Sequence, residues 1–236
     1  MKKYTLTDSE SVSASRHRLA PGKFIHNPKN SKAMHRLVQD CCCDTPLLAA
    51  MVSPFSSATG KLYQITCWNV AVDPKAGGQA YTVIKEVTPV PQVSVEQKLQ
   101  FAMLVMRELY PDRDFQKWID FWVTDADRSA NAAAKARKLL EKETRVSEEL
   151  ETLAAWGEAG GNDTKMMKDT NDLVERALHL TRAAEKHAAD PNDSAIALET
   201  ALTLSGIAGS GKPANLADLA EHVVGPHEIP EAADAA

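Results

Sequence analysis

The sequence predicts an α+β chain that is predominantly helical: a small N-terminal module with a β-hairpin, then a helical bundle containing a long antiparallel helical hairpin. Three observations lead there. Residues 62–72 (LYQITCWNVAV) and 81–87 (YTVIKEV) concentrate β-branched and aromatic side chains on either side of Asp73-Pro74-Lys75-Ala76-Gly77-Gly78. Beyond residue 93, apolar residues recur at three- and four-residue spacing through most of the chain. Aromatics are only 6% of residues while alanine is abundant, a balance that suits close-packed helices better than a β-sandwich.

Taken in order, the first fifteen residues are Ser/Thr-rich, and Pro21-Gly22 and Asn27-Pro28 are loop signals, so much of this head is expected to lack regular structure. Asn30 or Ser31 caps a short helix carrying Met34, Leu37, Val38 and Cys41, which ends near Asp44-Thr45-Pro46 because the residue before a proline disfavours the α region. Two strands alone are marginal in water, so the hairpin must pack on that helix or gain a strand from Tyr4 to Thr7. Pro89 and Pro91 mark a break. Ser94 and Gln97 then form a capping box for a helix over Val95 to Leu109, which Pro111 ends. Phe115, Trp118 and Trp122, with Ile119 alongside, make the core stripe of the next helix.

Asp127 or Ser129 caps a long segment in which Ala136, Leu139, Glu143, Val146, Leu150 and Leu153 follow a heptad alternation. After the glycine-rich turn at Gly157 to Asp163, Met166, Thr170, Leu173, Ala177, Leu180 and Ala184 repeat it. Residues 129–156 and 165–187 should therefore pair through Leu139, Val146, Leu150, Leu153, Leu173 and Leu180. A helix follows from Pro191-Asn192-Asp193 to Leu204, and a last one runs from Pro213 to Val224. The division implied is a small α+β module over 1–92, a helical bundle over 93–225 and a frayed tail over 226–236.

Polar residues from Tyr4 to Ser15 leave no room for the apolar core of a secretory signal, and no apolar run approaches the roughly 18 residues of a membrane span. Three of the four cysteines are consecutive (Cys41, Cys42, Cys43), where disulfide geometry is unfavourable. Reduced thiols and a cytoplasmic location are the expectation.

Charge is distributed unevenly. Residues 1–39 sum to +6 and the remaining 197 to −11, so a basic head sits on an acidic body. From Ser11 to Gln39 there is no acidic residue, while Arg16, Arg18, Lys23, Lys29, Lys32 and Arg36 occur with His17, His26 and His35 among loop-forming residues. Such a segment can follow a phosphate backbone, and these six cations are the candidate anion-binding residues. Phe24 is the segment's single aromatic, and the alternative is that the head folds against its own acidic helices.

Other motifs carry less. Gly206 to Lys212 (GIAGSGK) matches the first seven positions of a phosphate-binding P-loop, but Pro213 stands where a magnesium-binding hydroxyl belongs, and Ala195 to Leu204 reads as helix rather than strand. His35, the cysteine run and Cys67 lack the Cys-x₂₋₄-Cys spacing of a zinc knuckle. Asp125-Ala-Asp127 lies at a helix junction, where aspartate serves as a cap, and Glu175 and His179 fall on the expected solvent face. No metal or cofactor is expected. The function that follows is a non-enzymatic binding or assembly protein, its helices associating with a protein partner or another copy and its basic segment meeting an anionic partner such as nucleic acid. The competing reading is a hydrolase- or transferase-like enzyme with a site between the modules around Cys67 or His35.

Calorimetry with ATP or GTP and magnesium should accordingly detect no specific binding. Micromolar affinity that Lys212→Ala abolishes would show that the loop is a working nucleotide site.

Overall fold

The β-branched run at 62–70 does form a central strand, and three others line up around it. The computed structural model describes residues 2–14, 16–27, 43–70, 78–156, 161–204 and 215–225, and among these the side chains other than those at 2, 26–27, 67–70, 78–80, 145–156 and 161–170. Strands β1 (Lys2–Leu6), β2 (Phe24–Asn27), β3 (Leu62–Val70) and β4 (Gly78–Val87) make one sheet in the order β1-β3-β4-β2, each pair antiparallel. Around it stand α1 (Pro46–Val52), α2 (Val95–Leu109), α3 (Arg113–Val123), α4 (Ala130–Trp156), α5 (Gly161–Ala189), α6 (Ser194–Leu204) and α7 (Leu216–Val224). The chain is thus α+β among its described residues, and no helix among them is long and apolar enough to cross a membrane.

The basic head is more regular than its composition suggests. β2 is only four residues long, too short for an alternation to show, yet it pairs with Gln79 to Thr82 and buries Ile25 opposite Tyr81. The loop before it is tied by its own short polar side chains. Asp8 Oδ1 accepts from the amides of Glu10 (2.9 Å) and Val12 (2.7 Å), Ser13 Oγ accepts from His17 N (3.2 Å), and Leu19 N donates to Ser11 O (2.7 Å). These bonds carry Leu19 onto one sheet face, where it completes a small cluster with Ile25, Tyr63, Ile65, Tyr81 and Val83. The expected short helix carrying Met34, Leu37, Val38 and Cys41 falls on residues outside the described set, and Cys43 at its end forms a bridge to Tyr4.

Asp44-Thr45-Pro46 opens a helix that the sequence reading did not include. Thr45 Oγ1 accepts from Leu48 N at 3.1 Å and Pro46 takes the first helical position, where its missing N–H costs nothing. α1 buries every residue from Leu47 to Val52 and packs on β1, β3, α2, α6 and α7. Nearby, a β-carbon at Gly60 would lie 2.5 Å from Thr7 O and 2.7 Å from Ser56 O, backbone atoms that cannot swing aside.

The capping box at the start of α2 is complete, with Ser94 Oγ accepting from Gln97 N (3.1 Å) and Gln97 Oε1 from Ser94 N (2.8 Å). Leu99, Phe101, Ala102, Met103, Val105 and Met106 are all buried, and α2 touches α1, α3, α5, α6 and α7. Phe115, Trp118, Ile119 and Trp122 of α3 join the same core, as their spacing predicted. This core draws on both sides of residue 92, from Leu6, Leu62 and α1 through to Val224. α5 begins at Gly161, within the stretch expected to turn, and α7 begins at Leu216 rather than Pro213, with Asn215 as its cap.

α4 and α5 pack together, but the expected face of α4 is off by one position. Leu139 is 49% exposed, whereas Leu140 is 2% exposed and buried with Ala133 and Ala136. The buried positions 133, 136 and 140 keep the three-four alternation of a heptad but in another phase, Ala136 being followed at four residues by Leu140 and not at three by Leu139. Glu143, an intruder in the heptad, is a partner instead: it accepts a hydrogen bond from the buried Tyr110 hydroxyl. On α5, Ala177, Leu180 and Ala184 are buried as expected, and Leu173 is half-buried. Val146, Leu150 and Leu153 have side chains outside the described set.

Leu140→Ala should cost about 2–5 kcal/mol in denaturant melting, while Leu139→Ala should stay within about 0.5 kcal/mol. Equal losses at the two positions would restore the heptad face.

Candidate functional site

Of the six candidate anion-binding residues, Arg16, Arg18 and Lys23 are described and all three are exposed. They lie on the loop that crosses one sheet face, with Arg16 in the left-handed region at φ 66°. Arg18 Nε donates to Glu10 O at 3.3 Å and Lys23 Nζ to Arg18 O at 2.6 Å. The loop is pinned to β4 through Gly22 N to Val83 O (2.8 Å) and Val83 N to Lys23 O (2.9 Å). Lys29, Lys32 and Arg36 lie outside the described residues.

Immediately after Lys23, Phe24 is 59% exposed, and Ile84, two residues from the Thr82 that pairs with Phe24, is 45% exposed. A register shift between Gln64 and Ile65 explains Ile84: Gln64 pairs with Lys85 and Ile65 with Val83, so Ile84 is the bulge residue. Tyr81 and Val83 point into the cluster under the loop, and the alternate residues Thr82 and Ile84 take the opposite face. Lys85 beside them is exposed as well. Sequence reasoning named the cations and Phe24 but had no strand on which to place them.

On the covered face, Ser11 holds a left-handed φ of 68° and is buried. Its hydroxyl oxygen accepts from Tyr63 OH at 2.9 Å and Lys61 Nζ at 3.3 Å, and Tyr63 OH also lies 3.4 Å from Glu86 Oε2. A serine beside a lysine is a nucleophile's arrangement only where a base accepts the serine proton. Here both neighbours donate to Ser11, and the knot ties the basic loop to β3.

The enzyme reading rested on Cys67 and His35. Cys67 stands opposite Tyr81 in the register with its side chain outside the described set, and His35, Cys41, Cys42 and the Gly206 to Lys212 loop lie outside altogether. Cys43 is fully buried, its backbone paired with Tyr4. Asp125, at φ 61°, pairs with Arg128 Nε at 3.1 Å, and Asp127 Oδ1 accepts from Ser129 N at 3.0 Å, so both serve the junction before α4. The expected solvent face for Glu175 and His179 needs correction. Glu175 is exposed, but His179 turns into the α5–α6 seam, its Nδ1 2.6 Å from Glu199 Oε2, while Lys186 Nζ lies 3.2 Å from Glu199 Oε1. Burial raises the Glu199 carboxyl, and the bonds from His179 and Lys186 outweigh it and leave the group below its ordinary value. Among the described residues no three His, Cys, Asp or Glu side chains gather as a metal site.

The most perturbed cation is one that the sequence reading does not single out. Lys98, 1% exposed, reaches from the first turn of α2 to donate to Ser53 O (2.7 Å) and Phe55 O (2.6 Å), carbonyls just past the end of α1. Burial pushes its amine from 10.5 down to about 7. A shallow cleft of about 590 Å³ lies beside it, lined by Ser57, Gln92, Val93, Ser94, Gln97 and Gln100 among others, but Ser57 and Gln92 spend their polar atoms on backbone around Val93. Arg128, which bonds Glu96 at 2.6 Å, stacks 4.4 Å from the Trp122 ring, and His187 lies 5.7 Å from that ring. Burial lowers the His187 pKa, and its Nδ1 has no hydrogen-bond partner among the described residues.

Comparison with known protein families, with curated proteins and with solved structures finds no match to this chain.

Lys98 gives a signed pH dependence. With a folded value near 7 and an ordinary value of 10.5, the unfolded chain holds more protons between those limits, so stability should rise with pH across that window and be flat in this contribution below it. The slope is at most roughly 1.4 kcal/mol per pH unit. Wild type minus Lys98→Met in denaturant melts from pH 6 to 10 isolates it. A difference that does not change with pH would mean that the two carbonyls hold the ammonium charged throughout.

Proposed function

We propose that this chain is a non-enzymatic binding protein whose N-terminal sheet presents a polyanion-binding face, with Arg16, Arg18 and Lys23 as its contacts. The observation that carries this reading is that these three cations are exposed together on one loop pinned to β4, and that Arg18 and Lys23 are steadied by carbonyl oxygens. A carbonyl orients a cation without cancelling its charge, unlike a carboxylate. Lys29, Lys32 and Arg36 follow in the sequence, outside the described residues, and are proposed as further contacts of the same polyanion.

The helical part is proposed as a bundle containing an antiparallel hairpin of α4 and α5, and as the seat of association with a protein partner or another copy. Arg137, near the start of α4, pairs with Glu185, near the end of α5, at 2.9 Å, which supports the antiparallel sense. Exposed Leu139 between Lys138 and Lys142, and exposed Leu198 on α6, support an association surface.

Binding to polyphosphate and to oligonucleotides must weaken with salt as counterions are released. Three neutralised phosphates on a single strand give a slope of log K against log salt of roughly −2. Arg16→Ala/Arg18→Ala/Lys23→Ala should remove most of that slope in fluorescence anisotropy. Undetectable binding by the wild type at low salt would eliminate the anionic partner and leave helical association, read by sedimentation.

A further inference from the structure

We infer that α4 pairs antiparallel with α4 of a second copy, through a heptad stripe running from Leu139 to Leu153; the inference rests on the helical-association reading above. One exposed leucine is ordinary on any surface, and Leu139 is set apart by what repeats with it. Val146, Leu150 and Leu153 follow it at seven, eleven and fourteen residues along the same helix. At about 100° per residue those positions fall within about 40° of Leu139 around the helix. The chain's own contacts lie on other sides of α4. Arg137, about 160° around the helix from Leu139, pairs with Glu185 of α5 at 2.9 Å, while Ala133, Ala136 and Leu140 are buried in the core. Among the described residues α4 packs on α3 and α5 and on no other element. The helix thus carries two phases of the three-four alternation, one filled by its own core and one for which the described residues supply no partner element.

Charge identifies the occupant. Residues 130–145 hold five Lys or Arg against two Glu, and residues 146–156 hold three Glu and no cation. Two such helices running in the same direction set like charge beside like. Reversed, the basic half of each meets the acidic half of the other, which is the self-complementarity of a two-fold interface. Single positions agree. Lys135, Lys142 and Glu149 recur every seven residues along one edge of the stripe, while Leu140, Ser147 and Ala154 on the other edge are uncharged. A parallel pair sets one edge against the opposite edge and joins no opposite charges, whereas an antiparallel pair brings the same edge of the two helices together. With its axis near positions 145 and 146, Lys142 of each copy stands beside Glu149 of the other, so one symmetry axis yields two ion pairs. Leu139 of each copy then meets Leu150 of the other. Glu143, the polar position within the alternation, is already bonded to Tyr110 of its own chain.

Sedimentation of the full chain over a concentration series tests this. Wild type should show a monomer–dimer equilibrium that salt weakens. Leu139→Glu, at a position exposed in the single chain, should remove the dimer while circular dichroism and the melt of dilute, monomeric chain stay as in wild type. Lys142→Glu and Glu149→Lys should each weaken dimerisation about ten-fold at low salt. An equimolar mixture of those two variants should recover it, since each copy then offers the charge that the other lacks. A mixture that recovers nothing overturns the antiparallel pairing. A wild-type dimer that Leu139→Glu leaves intact overturns α4 as the interface and leaves helical association standing elsewhere. A wild type that stays monomeric at every soluble concentration overturns the inference, and the self-association part of the reading above falls with it.

Discussion

The packing of α2 constrains everything else in this molecule. Leu99, Phe101, Ala102, Met103, Val105 and Met106 leave it with little solvent-facing surface, and α1, α3, α5, α6 and α7 all rest on it. A helix so enclosed must start in register, because a shift of one residue rotates each side chain by about 100° and presents every neighbour with the wrong volume. Two devices set the start. Ser94 and Gln97 cap it reciprocally, and Lys98 threads through the core to the carbonyls of Ser53 and Phe55. Lys98 thereby couples the end of α1 to the beginning of α2, joining the sheet-bearing part of the chain to the helices. Its burial is costly, and the two short bonds to the Ser53 and Phe55 carbonyls offset part of that cost.

The sheet, by contrast, is finished on one face only. The loop from Asp8 to Gly22 covers Tyr63, Ile65, Tyr81 and Val83, while α1 covers the other face at the β1 and β3 end, around Leu6 and Leu62. The opposite end of that second face, at β4 and β2, keeps Phe24 and Ile84 in solvent. The same loop that fills the covered face carries Arg16, Arg18 and Lys23, so one folding event both completes a core and places the cations. The strained residues Ser11 and Arg16 mark where this loop bends, and their backbone cost is met by Asp8, Tyr63 and Leu19.

How much of this the sequence makes legible depends on the length over which a physical signal repeats. The stripe from Phe115 to Trp122 and the two long strands repeat a signal over eight to ten residues, and the α2 cap is a fixed-spacing motif at Ser94 and Gln97; each is read in outline. β2 and α1 are four and seven residues long, and both abut residues whose local preference points elsewhere: Asn27-Pro28 after the strand, and Pro46 at the helix start. Proline before a helix and proline ending one leave the same mark in a sequence, and only the hydrogen bond from Leu48 N to Thr45 distinguishes them. The error at Leu139 has a different origin. Leu139 and Leu140 are adjacent leucines, equally apolar, and the same three-four alternation can run through either, so only the phase set by packing on α5 decides which faces inward. The candidate site was legible as charge, because Arg16, Arg18 and Lys23 lie close together in sequence. The exposure of Phe24 was not, since an aromatic in a strand is ordinarily a core residue and only the order β1-β3-β4-β2 leaves this one uncovered.

The charge asymmetry then acquires a structural reason. A basic segment on an acidic chain would lower its energy by pairing with the helices' carboxylates, and the described cations of the loop include two that do otherwise. Arg18 and Lys23 are bound to carbonyls within the loop, and the strong acid–base pairs of the body are internal to it: Arg128 with Glu96, Arg137 with Glu141 and Glu185, Lys186 with Glu199. Arg128, Arg137 and Lys186 are thus taken up by carboxylates of the helices themselves. Pinning Gly22 and Lys23 to Val83 holds the cations on the sheet's side, out of range of an interaction that falls steeply with distance in salt water. The backbone pairing of the loop with β4 thus fixes Arg18 and Lys23 on the loop-covered side of the sheet, where each bonds a carbonyl of the loop.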